Sequence, residues 1–382
     1  MSFSYLPYYP KYSYLDNIIK DSGKHKLNIY VDMKNAYSTI YSKWASEEII
    51  QNTKRCRHID LSLFTAFLEF ISFHKQYAKK RNISINVCFF FDRGQSIYHQ
   101  QINKDYKGNR GIADFFDLDR ADSDLYWKVI NKNWDLIYKV GNKIPGVSII
   151  RIEYIESDFI PYYAIHRTLE NSNDYAHVVY SNDKDMYQIL TQPNIFQFIK
   201  KKTSKILTSK NTVEYLLKSD DDLPLDATWI PFLLAILGDD ADGYKGVKGV
   251  GPKSIIKVIP NILEQFGNMN NIYNHVNKKE KLFNSEYRTN NKIMQKIVDQ
   301  QDIVISNLKL ASYELLSEFI DSNATVELIK MRKSIREYIE NKTPKITNGQ
   351  VLVESLEKIG ISLPMNDEQI YSLFDGETMP CF

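Results

Sequence analysis

The sequence predicts an α/β fold, a central and mostly parallel sheet with helices on both faces, followed by a helical region. Three observations carry that reading. Short apolar runs recur along the first half of the chain, and each leads to acidic residues. Segments of helical period alternate with them. A Gly- and Asp-rich stretch, G-D-D-A-D-G-Y-K-G-V-K-G-V-G-P-K from Gly238 to Lys253, then follows a strongly apolar helix end at Phe232 to Leu237.

Taken in order, residues 1–25 are Tyr-rich and polar without a clear period, and read as an irregular lead-in. Leu27 to Val31 reads as a short strand with Asp32 at its carboxyl end. Between about Leu61 and Lys80, Phe64, Phe67, Leu68, Ile71 and Tyr77 recur at helical spacing. Ile85 to Phe91 is almost continuously apolar, as in a strand buried on both faces, and it ends at Asp92. Ser148 to Ile152 leads to Glu156 and Asp158, and His177 to Tyr180 leads to Asp183 and Asp185. Alternating strands and helices imply right-handed crossovers and a parallel sheet, whose ligands bind beyond the carboxyl ends of the strands. A lone Asp after a strand is ordinarily a cap or turn residue. Capping does not account for several strands doing this in succession.

The stretch after Leu237 delivers Asp239, Asp240 and Asp242 into a loop. Gly246, Gly249 and Gly251 allow tight turns and a close backbone approach to a ligand. Pro252 suits the first turn of a new helix, expected over Ser254 to Val258, with free N–H groups facing a phosphate. D-D-x-D-G alone reads as a surface turn. With the G-V-x-G-V-G-P-K tail it reads as a phosphate clamp, blind to sequence, beside a cluster of hard-metal ligands. That acid set is Asp32, Asp92, Glu156, Asp158, Asp183, Asp185 and Asp242, with Asp239 beside it. So many like charges on one edge repel one another unless cations neutralise them. All-oxygen ligands select Mg²⁺ or Mn²⁺, and two such ions clamp a phosphodiester without a protein nucleophile. None of the seven His stands next to these acids, so a hydrolytic triad has no support.

Composition bounds the alternatives. At 382 residues, 43% hydrophobic and 25% charged, the chain has the make-up of an ordinary globular protein with a sizeable core. A net charge of +2 leaves any nucleic-acid affinity to local patches. Three cysteines, Cys56, Cys88 and Cys381, lack zinc or disulfide spacing, which fits a reducing cytoplasm. No leader pattern and no apolar run of membrane-spanning length is read.

These motifs together resemble the 5′ nuclease superfamily: flap endonucleases, the 5′ domain of bacterial DNA polymerase I and phage 5′–3′ exonucleases. Asp32 matches the first-strand Asp, and Asp92 lies in F-F-D-R-G-Q-S, close to the D-x-G-x-S of phage members. I-E-S-D at Ile155 to Asp158 looks like the E-A-D core, S-N-D-K-D at Ser181 to Asp185 like S-x-D-x-D, and G-D-D-A-D-G carries Asp239 and Asp242 in register. Phe159 departs from the pattern, standing where bacterial and phage members often have a further carboxylate. Y-K-G-N-R, Tyr106 to Arg110, is similar to the family's Y-K-x-N-R. By itself it is a basic turn.

The resemblance implies a PIN-like 5′ nuclease core over residues 26–230 with a helical arch at about 104–140. It also implies a helix–three-turn–helix duplex-binding region over 231–312, and leaves a helical extension and tail over 313–382. Lys107 and Arg110 would be catalytic, meeting the scissile phosphate. Tyr106, Lys245, Gly246, Lys248, Gly249, Gly251 and Lys253 would contact DNA. The implied cofactors are two Mg²⁺ (or Mn²⁺), with a K⁺ place at the helix–three-turn–helix. The implied partners are DNA with 5′ flaps, nicks or RNA primers, and a single-strand-binding protein or polymerase, with no membrane and a monomeric enzyme. In the arch, Phe115, Phe116, Tyr126 and Trp127 read either as base-stacking or as packing residues. The reaction expected is structure-specific 5′ hydrolysis during replication or repair, and a phage origin fits D-R-G-Q-S and Y-K-G-N-R. A PIN-type ribonuclease shares the acid-edged sheet, but the glycine clamp argues against it. A non-catalytic DNA-structure-binding protein would be expected to lack some of Asp32, Asp92, Asp183 and Asp185.

Overall fold

The structure, a computed structural model, describes residues 11–45, 60–93, 96–104, 106–107, 120–153, 155–168, 174–200, 204–284, 287 and 289–323, with isolated positions at 50, 51, 54, 329, 332, 333, 354 and 373. Its centre is a six-stranded sheet of order β3-β2-β1-β4-β5-β6. The strands are β1 (Lys26–Asp32), β2 (Ser84–Arg93), β3 (Val147–Glu153), β4 (Ala176–Tyr180), β5 (Ile195–Lys200) and β6 (Ser204–Leu207). All neighbours pair in parallel except β6, which runs antiparallel to β5. The four strands expected from the sequence are present, and β5 and β6 extend the sheet beyond them.

Alternation along the strands builds two cores. Tyr30, Phe90, Ile150 and Val179 face one side, while Ile29, Val31, Phe89, Ile149 and Val178 face the other. Because both faces are covered, β2 reads as a continuous apolar run rather than an alternating one. The strand order reverses between β1 and β4, so the crevice for a ligand opens beyond the carboxyl ends of those two strands.

The lead-in is not irregular throughout, as α1 occupies Tyr12–Ser22. Its Leu15 and Ile18 are buried in the second core, and its Asp16 accepts two hydrogen bonds of 2.8 Å from Arg81. Gly23, at φ 67°, ends it in the left-handed conformation. Tertiary packing thus supplies a helix that the polar, Tyr-rich sequence does not announce. Arg81 closes α2 (Ser62–Arg81), which with α3 (Arg120–Gly141) covers the same face, and Trp134 of α3 stacks on Phe91 at 3.7 Å.

Helices α4 (Phe159–Tyr163) and α5 (Ile230–Leu237) cover the other face. The helix expected over Ser254 to Val258 begins earlier, at α6 (Pro252–Ile255), and runs through a tight 3₁₀ turn into α7 (Ile259–Phe266). Residues 268–291 are rich in Asn and Lys, yet they contain α8 (Met269–Asn277), whose N-cap Asn268 accepts from the Asn271 amide. Beyond it, Leu282 and Phe283 plug the core, so a polar composition hides two apolar anchors. Three further helices follow, α9 (Lys292–Asp299), α10 (Gln301–Ala311) and α11 (Tyr313–Ser322).

One core runs from Tyr30 to Ile320 and so spans residues 230 and 312, where boundaries were expected. Tyr313 of α11 packs on Phe159 and Tyr162 of α4, which ties the start of the expected extension to the sheet. Arg110, Phe115 and Phe116 of the arch, and nearly all of the expected extension and tail beyond residue 323, lie outside the described residues. Among the described residues no helix is long and apolar enough to cross a membrane.

Candidate active site

The crevice at the strand switch point collects the acids. Asp32 ends β1 and caps the short helix that follows by accepting the Asn35 amide at 3.1 Å. Its other oxygen accepts from Ser181 Oγ, also at 3.1 Å, so the ends of β1 and β4 are latched side to side. Ser181 Oγ in turn accepts the Asp183 amide, and Asp183 Oδ1 accepts the Asp185 amide, each at 3.1 Å. Gln197 of β5 donates to the carbonyls of Ser181 and Asp183 at 2.9 Å. S-N-D-K-D is therefore a bound loop whose residues serve two purposes: Ser181 and Asn182 shape it, while Asp185 is buried in the site. Asn182 does its part by taking Asn35 Oδ1 with its amide and the Lys200 amide with its side chain.

From the other side, α5 ends at Gly238, whose φ of 77° turns the chain into a two-residue hairpin, Gly238–Asp239 against Tyr244–Lys245. Asp239 Oδ1 accepts the Ala241 amide and the Asp239 carbonyl accepts the Asp242 amide, so both carboxylates are set by the turn. Asp185, Asp239 and Asp242, all buried, each offer an oxygen within 4.8 Å of the others. Burial, and then Asp183, Asp242 and Asp239, push the Asp185 carboxyl well above the carboxylate range. Burial also raises Asp183. Asp185 Oδ1 and the Tyr244 hydroxyl are buried without a hydrogen-bond partner among the described residues. Three converging carboxylates with an orphaned oxygen among them fit a divalent cation bound through oxygen.

The third part comes from Tyr106 and Lys107. Lys107 has a left-handed backbone, φ 53°, and its ammonium binds Glu156 and lies 3.5 Å from Asp242. Burial pulls its pKa down, but Glu156 and Asp242 beside it outweigh that and leave it raised. Tyr106, expected to touch DNA, is instead buried, its hydroxyl 3.2 Å from Glu156 and 3.4 Å from Asp242. Its ring stacks on buried His99 at 4.6 Å. His99 Nε2 must donate to the Leu310 carbonyl, which leaves Nδ1 to accept from Ser96 Oγ. Asp158 starts α4 and faces buried Tyr313, whose phenol is raised by burial first and by Asp158 next. Phe159 is fully buried against Tyr163 and Tyr313, so an aromatic ring closes the site beyond Asp158. Asp92 ends β2 opposite Ile152, and its side chain is outside the described residues.

Sequence reasoning passed over Lys184, whose ammonium lies 3.0 Å from Asp239 Oδ2 and joins the two acidic motifs. A lysine between two aspartates gives no signal until the hairpin is folded beside it. It also passed over Asn307, which donates to the carbonyls of Ala235 and Lys245 and staples the hairpin to α5. In α3, Tyr126 is buried and Trp127 is 41% exposed, so only the second presents a ring to solvent.

The glycines differ in what they do. A Cβ on Gly246 would lie 2.3 Å from the Leu237 carbonyl carbon, so this glycine is required by packing on α5. Gly249 has φ 77°, whereas a Cβ on Gly251 would meet nothing within 4 Å. Gly246→Ala is therefore expected to lower folding stability by about 1–3 kcal/mol through overpacking. Gly251→Ala should leave the urea midpoint unchanged, and equal midpoints for the two variants would contradict this packing. Lys245, Lys248 and Lys253 are all exposed.

No protein-family model matches the chain. It is 27% identical over 246 residues to a 5′-3′ exonuclease of Buchnera aphidicola subsp. Baizongia pistaciae, covering 64% of this chain and 70% of the relative. It is 26% identical over 268 residues to the 5′-3′ exonuclease of the Schizaphis graminum subspecies, covering 70% and 79%. A bacteriophage T5 D15 flap endonuclease solved with DNA and metal ions shares its fold, with a TM-score of 0.56 and 18% identity over 82% of this chain and 98% of that one. The fold and the acid cluster are those of an acid-edged α/β nuclease. These likenesses in sequence and in fold support a reading as a 5′ nuclease.

Proposed function

We propose that this structure-specific 5′ nuclease hydrolyses phosphodiesters at 5′ flaps, nicks and RNA-primed ends with two Mg²⁺ or Mn²⁺ ions. The observation that supports it is the meeting of Asp185, Asp239 and Asp242, brought from two separated motifs to within 4.8 Å at the switch point of the sheet. Asp185, Asp239 and Asp242 would hold one ion, and Asp32, Asp92, Glu156, Asp158 and Asp183 would complete the ligand set. Metal bound by these carboxylates would supply Lewis-acid chemistry, a more acidic water and a counter-charge for the leaving oxygen. Lys107 supplies a cation that the scissile phosphate draws away from Glu156 and Asp242 as its charge develops, and Arg110 adds a bidentate clamp. The Lys107 ammonium lies 5.1 Å from the Tyr106 ring, which His99 backs, so Tyr106 would support Lys107 rather than touch substrate. The exposed Lys245, Lys248 and Lys253 take the phosphates of the duplex arm without reading sequence.

A gel assay comparing a 5′-flap, a nicked duplex and an RNA-primed duplex, each with Mg²⁺ and with chelator, tests this reading. Release of short 5′ products from at least one substrate, with none in chelator, is expected. Cleavage that persists in chelator, or attack on single-stranded RNA alone, would overturn it and favour the ribonuclease alternative.

A further inference from the structure

The glycine turn is held from behind by the junction of α9 and α10. Gln300 Oε1 accepts the Lys248 amide at 2.9 Å, and Lys296 Nζ donates to the Gly249 carbonyl at 3.3 Å. Gln300 Nε2 also donates to the Lys296 carbonyl at 3.3 Å, so the two bracing residues are themselves joined across one helical turn. A Cβ on Gly249 would stand 2.8 Å from Lys296 Nζ, so the glycine leaves the space that the ammonium fills. The brace has a firm base, because Met294 and Ile297 of α9 are fully buried on either side of exposed Lys296. The amide of Lys248, a residue expected to contact DNA, is thus already committed to a side chain.

We propose that Lys296 is a positioning residue for duplex binding: its ammonium, with Gln300, fixes the turn that presents Lys248 and Lys253, and does so in place of a dissolved monovalent cation. The inference rests on the reading of this face as the duplex contact. A carbonyl oxygen in an exposed turn is satisfied by a primary ammonium or by K⁺, both monovalent cations of similar size. Lys296 is tethered to a buried helix, so its local concentration does not depend on the salt outside. The K⁺ implied by the family resemblance is then unnecessary in this chain.

The test is duplex affinity by fluorescence anisotropy without divalent metal, in KCl and in tetramethylammonium chloride at equal ionic strength. The wild-type protein should bind within about twofold in the two salts, whereas Lys296→Met should bind about tenfold more weakly in tetramethylammonium and recover in K⁺. Lys296→Arg, which keeps a tethered cation, should behave as wild type. A wild-type protein that K⁺ strengthens as much as the variant would overturn the proposal. So would a loss in Lys296→Met that is the same in both salts, whether from a structural role or from direct phosphate contact. Lys253→Ala separates the two readings: it should weaken binding equally in both salts, and no effect from it would mean that this face does not bind duplex. Melting curves confirm folding, which replacement of an exposed side chain should leave intact.

Discussion

Asp185→Asn is expected to reduce cleavage by at least about 10³-fold, roughly 4 kcal/mol of barrier, and at the same time to stabilise the metal-free protein at neutral pH. The two effects have one cause. Asp185 is buried beside Asp183, Asp242 and Asp239, and its Oδ1 has no hydrogen-bond partner among the described residues. An unsatisfied buried oxygen costs about 1–3 kcal/mol, and a charged one more. The sign follows from linkage. Because the folded-state pKa of Asp185 is raised, the folded protein binds this proton more tightly than the unfolded chain does. Its contribution to stability is present when the carboxyl is protonated and is lost as pH rises above the ordinary carboxylate range toward the raised folded value. In chelator, the wild-type melting temperature should fall over that window, and the Asn variant should lack part of the slope. Thermal melts at several pH values and single-turnover cleavage check both halves. A variant with the wild-type slope, or with cleavage within about tenfold, would remove Asp185 from the centre of the site.

The sheet was legible in the sequence because its strands are buried on both faces and end in acids. Ile85 to Phe91 could hardly be anything else, and each acid placed at a strand end by sequence lies at or just beyond one. What sequence cannot show is which of eight carboxylates meet. Asp185, Asp239 and Asp242 converge only because Gly238 turns the hairpin and Ser181 latches β4 to β1, and both are long-range consequences of packing. The glycine stretch was legible as a turn but not in its parts. Gly246 serves α5 and Gly249 makes room for Lys296, while Gly251 is extended and unobstructed. Tyr106 was misplaced for a related reason. A basic Y-K-G-N-R reads as a surface turn, whereas Tyr106 is buried, its ring on His99 and its hydroxyl at Glu156 and Asp242. Helix α1 and the Leu282–Phe283 plug were hidden in polar surroundings, since two or three buried side chains suffice to fix a segment that composition marks as loop.

Lys107→Ala is expected to lower the single-turnover rate by about 10²–10³-fold while leaving duplex affinity within about twofold. The ammonium is already paired with Glu156 and Asp242, so a ground-state phosphate must compete with two carboxylates for it and gains little. When charge builds on the phosphate oxygens and divalent ions neutralise the acids, the balance tips and the interaction is made mostly in the transition state. The same pairing gives a second signature, opposite in sign to that of Asp185→Asn. Without Lys107 the acids lose their internal counter-ion, so the metal-free protein should be less stable. Mn²⁺ should bind at least as tightly, because no ammonium then occupies Glu156 and Asp242. Calorimetric Mn²⁺ titration, chelator melts and single-turnover rates separate these outcomes. Weaker duplex binding at an unchanged rate would make Lys107 an ordinary backbone contact, and weaker Mn²⁺ binding would mean that it organises the acids rather than competing for them.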